Sequence, residues 1–125
     1  MPKRKILLID DEKKFCQMMK QRLEHQGVYD VTIAYSGPEG IACASNTTFD
    51  LVITDFKMPE MNGAEVVKAL KTMQPALPVL LFSIYYDDQT VITPDILHDA
   101  DGLISKPINY DALYRTIEEA LARRQ

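Results

Sequence analysis

Ile6-Leu7-Leu8-Ile9-Asp10-Asp11-Glu12 is an uninterrupted apolar run that stops on three acids. A strand with one wet face alternates apolar and polar residues, whereas a continuous run fits a strand covered on both faces, as in a parallel sheet. Val31-Thr32-Ile33-Ala34, Leu51-Val52-Ile53, Val79-Leu80-Leu81-Phe82 and Gly102-Leu103-Ile104 read as four more strands, most of them equally continuous. Amphipathic stretches lie between them. Phe15, Met18, Met19 and Leu23 share one helical face by their i, i+3, i+4, i+8 spacing, and Gly27 stops that helix. Ser36-Gly37-Pro38-Glu39 has capping-box spacing with proline in the first turn, opening a second helix through Ile41 and Ala44. Asn62-Gly63-Ala64-Glu65 opens a third, with Val66, Val67, Leu70 and Met73 inward and Pro75 beyond its end. Asn109 caps a last helix whose Leu113, Ile117 and Leu121 recur every four residues. The crossover after the fourth strand is the weakest. Thr93-Pro94-Asp95 suits a helix start and not a helix interior, so a long loop after Phe82 and a short helix near Asp95 to Asp99 are expected.

Strand and helix alternating in this way predict an α/β fold, a doubly wound parallel sheet with right-handed crossovers and helices on both faces. The 125 residues make a single domain, 1–125, of ordinary size. Fourteen Lys+Arg against eighteen Asp+Glu leave a net charge of −4, which argues against direct nucleic-acid contact and against an anionic membrane surface. Cys16 and Cys43 stand far apart and form neither a disulfide framework nor a zinc site; buried free thiols are expected. Met1-Pro2-Lys3-Arg4-Lys5 before the apolar run looks like the start of a secretory leader, but the run is too short and ends in acids. No stretch approaches the roughly 20 apolar residues of a membrane span, so a cytoplasmic location is expected. His25 and His98 are isolated and read as surface or helix-end residues.

In open parallel sheets, ligands bind at the carboxyl ends of the strands, where the strand order reverses. In this sequence the first strand ends in Asp10-Asp11, the third in Asp55, the fourth in Ser83 and the fifth in Ser105-Lys106-Pro107. Alone, each says little: the first are acids at a helix start, Asp55 suits a turn, and Lys106-Pro107 carries almost no information. Together they form a set. Two carboxylates ~4 Å apart repel by about 1 kcal/mol in water and several-fold more near a protein interior. A hard divalent cation bound by oxygens relieves that repulsion, and Mg2+ characteristically shares a phosphate oxygen with its carboxylates. The ammonium of Lys106 and the hydroxyl of Ser83 supply the remaining parts of a phosphoryl site.

The Asp10-Asp11 pair, Ile53-Thr54-Asp55 followed by Met58-Pro59 and Asn62-Gly63, Ser83 after an apolar strand, and Lys106-Pro107 make the chain resemble a response-regulator receiver domain of two-component signalling, from about Lys5 to Leu121. The resemblance implies a flavodoxin-like five-stranded sheet of order 2-1-3-4-5 with five helices, the fourth short or irregular. It implies that Asp55 accepts a phosphoryl group from a histidine kinase or phosphotransfer protein. Asp11, Asp55 and the backbone carbonyl of Lys57 would bind Mg2+, with Asp10 acting on it largely through water. Ser83 and Lys106 would contact the phosphoryl oxygens, and a partner-binding face toward a downstream protein or output domain would switch. On this reading the chain is no enzyme but a signalling phosphoacceptor that catalyses its own phosphotransfer and slow dephosphorylation.

Several residues depart from the family pattern. Leu103 stands where the family usually has Tyr or Phe, so coupling must use other side chains, with Tyr85 and Tyr86 as candidates. Ile84 replaces a usual small residue beside Ser83, and Lys57 and Tyr85 take positions that tune water access; a long-lived phosphoryl state is expected. Pro94 shortens helix four, and Leu103, Ile84 and that broken helix suit an alternative, an unphosphorylated receiver-like interaction domain. A third reading, an aspartyl phosphohydrolase, needs a second carboxylate two residues after the nucleophile, where this chain has Lys57.

Overall fold

Strand β1 (Arg4–Ile9) buries Ile6, Leu7, Leu8 and Ile9 completely. The computed structural model, which describes residues 2–84 and 99–123 without the side chains at 83 and 84, explains why. With β2 (Tyr29–Ala34), β3 (Leu51–Thr54), β4 (Val79–Ile84) and β5 (Gly102–Lys106), β1 forms a parallel sheet of order β2-β1-β3-β4-β5. Among the described residues four helices cover it: α1 (Lys13–His25), α2 (Gly37–Asn46), α3 (Gly63–Met73) and α4 (Tyr110–Arg123). Ile6, Leu8, Ile53, Leu80 and Phe82 pack with Cys16, Met19 and Leu23 of α1 and Leu113, Ile117 and Leu121 of α4. Leu7, Ile9, Val52, Val79 and Leu81 pack on the other face with Ala44 of α2 and Val66, Val67 and Leu70 of α3. Successive strand residues therefore feed two separate cores, each fully buried Leu, Ile or Phe contributing about 1.5–3 kcal/mol.

The helix starts hold as their sequences imply. Asn62 Oδ1 accepts from the Glu65 N–H at 3.0 Å and Glu65 Oε1 from the Asn62 N–H at 3.3 Å, a complete capping box. At α2 only half of the box forms: Ser36 Oγ accepts from the Glu39 N–H, but the Glu39 carboxylate reaches one residue further back, to the Tyr35 N–H. Asn109 Oδ1 accepts from the Ala112 N–H at 3.0 Å. Gly27, with φ +79°, follows the end of α1 in the left-handed conformation that glycine adopts freely.

Three expectations need correction. The buried seam of α1 is Cys16, Met19 and Leu23, and Met18, turned about 100° from Met19, is 46% exposed. Met73 is 41% exposed because it is the last residue of α3, beyond the stretch that lies on the sheet. No loop begins after Phe82: β4 runs on to Ile84 because Ser83 pairs with Ser105 and Ile84 with Lys106. The expected thiols divide, Cys16 being buried and Cys43 half-buried. Tyr85, Tyr86, Thr93, Pro94, His98 and most of the short helix expected before Asp99 lie outside the described residues. His25 is exposed at the end of α1. No helix among the described residues is long and apolar enough to cross a membrane.

The starts of β4 and β5 are cross-tied. Asp101 Oδ2 accepts from the Val79 N–H and from Lys71 Nζ, both at 2.8 Å. The Asp101 N–H donates to the Val79 carbonyl, and Arg123 of α4 donates to the Asp101 carbonyl at 2.7 Å. At the other end of the sheet, Gly63 packs where a Cβ would lie 2.3 Å from the Asp55 carbonyl oxygen and 2.7 Å from Phe56 Cα. Those neighbours are backbone and cannot swing aside. Gly63→Ala is therefore expected to cost about 1–3 kcal/mol in urea unfolding. Gly27→Ala, with nothing within 4 Å of its Cβ, should lose only the ~1–2 kcal/mol of left-handed backbone strain and leave the carboxyl edge undisturbed.

Candidate functional site

Ile9 pairs with Thr54 across β1 and β3, so the next residues, Asp10 and Asp55, leave the sheet side by side. Their backbones are held there: the Asp55 N–H donates to the Ile9 carbonyl at 2.8 Å and the Asp10 N–H to the Ala34 carbonyl at 3.1 Å. This is where the strand order reverses, β2 lying on one side of β1 and β3 on the other. Asp10 is fully buried and Asp55 is 6% exposed. Asp11 is exposed, yet Asp10, Asp11 and Asp55 each offer a carboxylate oxygen within 4.8 Å of the others. Lys106, at the end of β5, brings its Nζ to 3.2 Å from Asp10 Oδ2 and 3.4 Å from Asp55 Oδ1.

Backbone donors complete the arrangement. The Glu12 N–H donates to Asp10 Oδ1 and the Phe56 N–H to Asp55 Oδ1, both at 3.0 Å. Cys16 donates from Sγ to the Asp10 carbonyl, and burial pushes its thiol up to about 12, which keeps it protonated and chemically quiet. Burial, and then the charge of Asp10, push the Asp55 carboxyl up to about 6, against the opposing pull of Lys106. Asp10 is also raised, by burial. Burial works against the ammonium of Lys106 too, but Asp55 and Asp10 outweigh it and its pKa is raised. One ammonium thus leaves the clustered carboxylates under-compensated. Three hard oxygen donors with surplus negative charge are the donor set that suits a hard divalent cation.

Asp10, Asp11, Asp55 and Lys106 are brought together as the sequence implied. Lys57 is exposed two residues beyond Asp55, and the Ser83 side chain lies outside the described residues. Leu103 is 37% exposed on β5. What sequence reasoning missed is aromatic. The Lys106 ammonium lies 4.4 Å from the ring centroid of Phe15 and 5.1 Å from that of Phe82, two residues read only as core. No spacing signal connects Phe15 with Lys106; they meet only because the first turn of α1 and the end of β5 both lie at the carboxyl edge of the sheet.

Residues 6–118 match the family model described as response regulator receiver domain. The transcriptional regulatory protein ZraR of Salmonella typhimurium is 36% identical over 117 residues, covering 94% of this chain and 26% of that protein. The chain thus spans about a quarter of the length of that relative. The response regulator ArlR of Staphylococcus saprophyticus is 31% identical over 121 residues, covering 97% of this chain and 53% of that protein. A response regulator receiver domain protein from Clostridium thermocellum superimposes with a TM-score of 0.87 at 31% identity, over 97% of this chain and 96% of that one. The response regulator TrrA of Thermotoga maritima, solved in complex with Mg(2+)-BeF, gives 0.83 at 26% identity, over 94% and 98%. The expectation of no direct nucleic-acid partner finds no support in these relatives, of which ZraR is a transcriptional regulatory protein.

The raised Asp55 carboxyl has a measurable consequence. Between its ordinary value of 3.8 and about 6, the folded chain retains a proton that the unfolded chain has released, so stability falls as pH rises through that window. With a chelator present, Asp55→Asn should gain roughly 1–3 kcal/mol over the native chain at pH 8, and the gain should vanish below pH 4. Denaturant titrations at both pH values measure it; equal stability at pH 8 would contradict the cost assigned to the buried charge.

Proposed function

The chain belongs to the response regulator receiver domain family, and from that premise we propose that it is a phosphoacceptor switch charged on Asp55 by a histidine kinase or phosphotransfer protein. The observation that carries the proposal is the convergence of Asp10, Asp11, Asp55 and Lys106 at the switch point of the sheet. A carboxylate oxygen of Asp55 attacks the phosphorus of a phosphohistidine. The new O–P bond makes an acyl phosphate as the P–N bond breaks, and the electron pair leaves with the imidazole. Such transfer needs positioning and charge neutralisation more than covalent activation. Lys106 pairs with a phosphoryl oxygen, and the Ser83 hydroxyl donates to another. The Phe56 N–H fixes the orientation of the Asp55 carboxylate.

Asp11, Asp55 and the Lys57 backbone carbonyl would hold Mg2+, with Asp10 contributing largely through water. The hard oxygen donors clustered within 4.8 Å fit that ion, and the related TrrA was solved with Mg(2+)-BeF. When bound, Mg2+ would neutralise charge on the carboxylates and on the incoming phosphoryl oxygens. The chain's role is then signalling in the cytoplasm rather than turnover of a substrate. A phosphohydrolase is disfavoured, because the position two residues after Asp55 holds an exposed Lys57, which donates no proton to a leaving group as a carboxylic acid would. The phosphoryl group biases a two-state surface that a downstream protein reads.

Incubation with acetyl phosphate and Mg2+ should add a phosphate-sized mass to the native chain, and none to Asp55→Ala or after chelation. Mg2+-dependent binding of beryllofluoride should follow the same pattern. No mass gain and no beryllofluoride binding by the native chain would leave the unphosphorylated interaction domain, the reading suggested by Leu103 and Ile84.

A further inference from the structure

Lys106 is held on two sides by different chemistry. Its contacts with Asp10 and Asp55, at 3.2 and 3.4 Å, are long for charge-assisted hydrogen bonds, which cluster at about 2.7–2.9 Å. The ammonium also lies over two aromatic rings, 4.4 Å from the Phe15 centroid and 5.1 Å from that of Phe82. The rings meet edge to face, 5.5 Å apart at 81°, so each fixes the other's orientation. Phe82 is fully buried in β4 and belongs to the core in any case. Phe15 is different: it comes from the first turn of α1, is only half-buried, and packs from outside against the core. An ammonium within ~6 Å of a ring face is attracted to the ring quadrupole, more strongly as water is excluded. The Lys106 side chain is 17% exposed, so most of that water is already gone.

We propose that Phe15, with Phe82 behind it, is a positioning residue for Lys106, and that the ring pair holds the ammonium at the acid cluster independently of the charge state of the carboxylates. The functional part rests on the phosphoacceptor reading of Asp55. An ammonium fixed by Asp10 and Asp55 alone loses its hold whenever those carboxylates are engaged elsewhere, by a cation or by a forming O–P bond. A ring quadrupole does not change during the transfer. It keeps the flexible four-carbon stem of Lys106 aimed at the site through the step in which the carboxylate of Asp55 ceases to be a free anion.

The test separates ring electronics from ring shape. Phenylalanines of increasing fluorination placed at position 15 keep the size of the side chain and drain the ring face of negative potential. In the chelated native chain, the Lys106 ε-methylene protons should be displaced upfield by the ring currents, and Phe15→Leu should abolish most of that displacement. The rate of Mg2+-dependent phosphorylation by acetyl phosphate should fall stepwise with fluorination, reaching roughly three- to tenfold for the most depleted ring. Phe15→Tyr should retain the native rate. In a Lys106→Met background the fluorinated series should be flat, because no cation remains to be held. A flat series in the native background, or undisplaced Lys106 methylene protons, overturns the inference. A native chain that takes up no phosphate sinks the phosphoacceptor reading instead, and the proton displacement then decides the positioning by itself.

Discussion

Asp10 and Asp55 share one ammonium in a place where water reaches almost neither carboxylate. Burying an anion is tolerated only when partners replace its hydration, and here each partner is delivered by a different element. The Glu12 N–H comes from the start of α1, the Phe56 N–H from the chain beyond β3, and Lys106 from the end of β5. None suffices alone. The register of β1 against β3 sets the two acids abreast, and the whole width from β1 to β5 is then needed to bring the lysine to them. The incompleteness of the compensation, seen in the raised Asp55 carboxyl, is what makes the edge receptive to further positive charge.

The departures from the family pattern fall around this centre rather than in it. Leu103 lies on β5 three residues before Lys106 and presents an aliphatic surface to solvent. It has neither the ring edge nor the hydroxyl with which an aromatic residue reports on a neighbouring loop. Lys57 adds an exposed cation just past Asp55. Both leave Asp10, Asp11, Asp55 and Lys106 together.

Two-sided burial and the place of the acids were legible because a single physical rule governs each, whereas the strand order followed only from the resemblance to receiver domains. A continuous apolar run has no wet face, and residues that end neighbouring parallel strands must share an edge. Helix faces were less legible. Met18 and Cys16 are both acceptable at an inward position, and only the packing of α1 on Ile6 and Leu8 decides for the thiol. At α2 the Glu39 carboxylate could satisfy either of two adjacent N–H groups, and it takes that of Tyr35. The aromatic contact of Lys106 was invisible for a deeper reason. It joins residues 91 positions apart, and nothing in local spacing encodes a contact between them.

The knot around Asp101 lies at the end of the sheet opposite the acids and binds α3, α4, β4 and β5 to one carboxylate and its peptide. The strand pair β4 and β5 is thus held at both ends, at its base by Asp101 and at its tip by the contacts of Lys106 with Asp10 and Asp55. The base tie joins four elements through neutral and charged donors alike, so the lysine of the acid cluster sits on a strand whose opposite end is pinned to its neighbours.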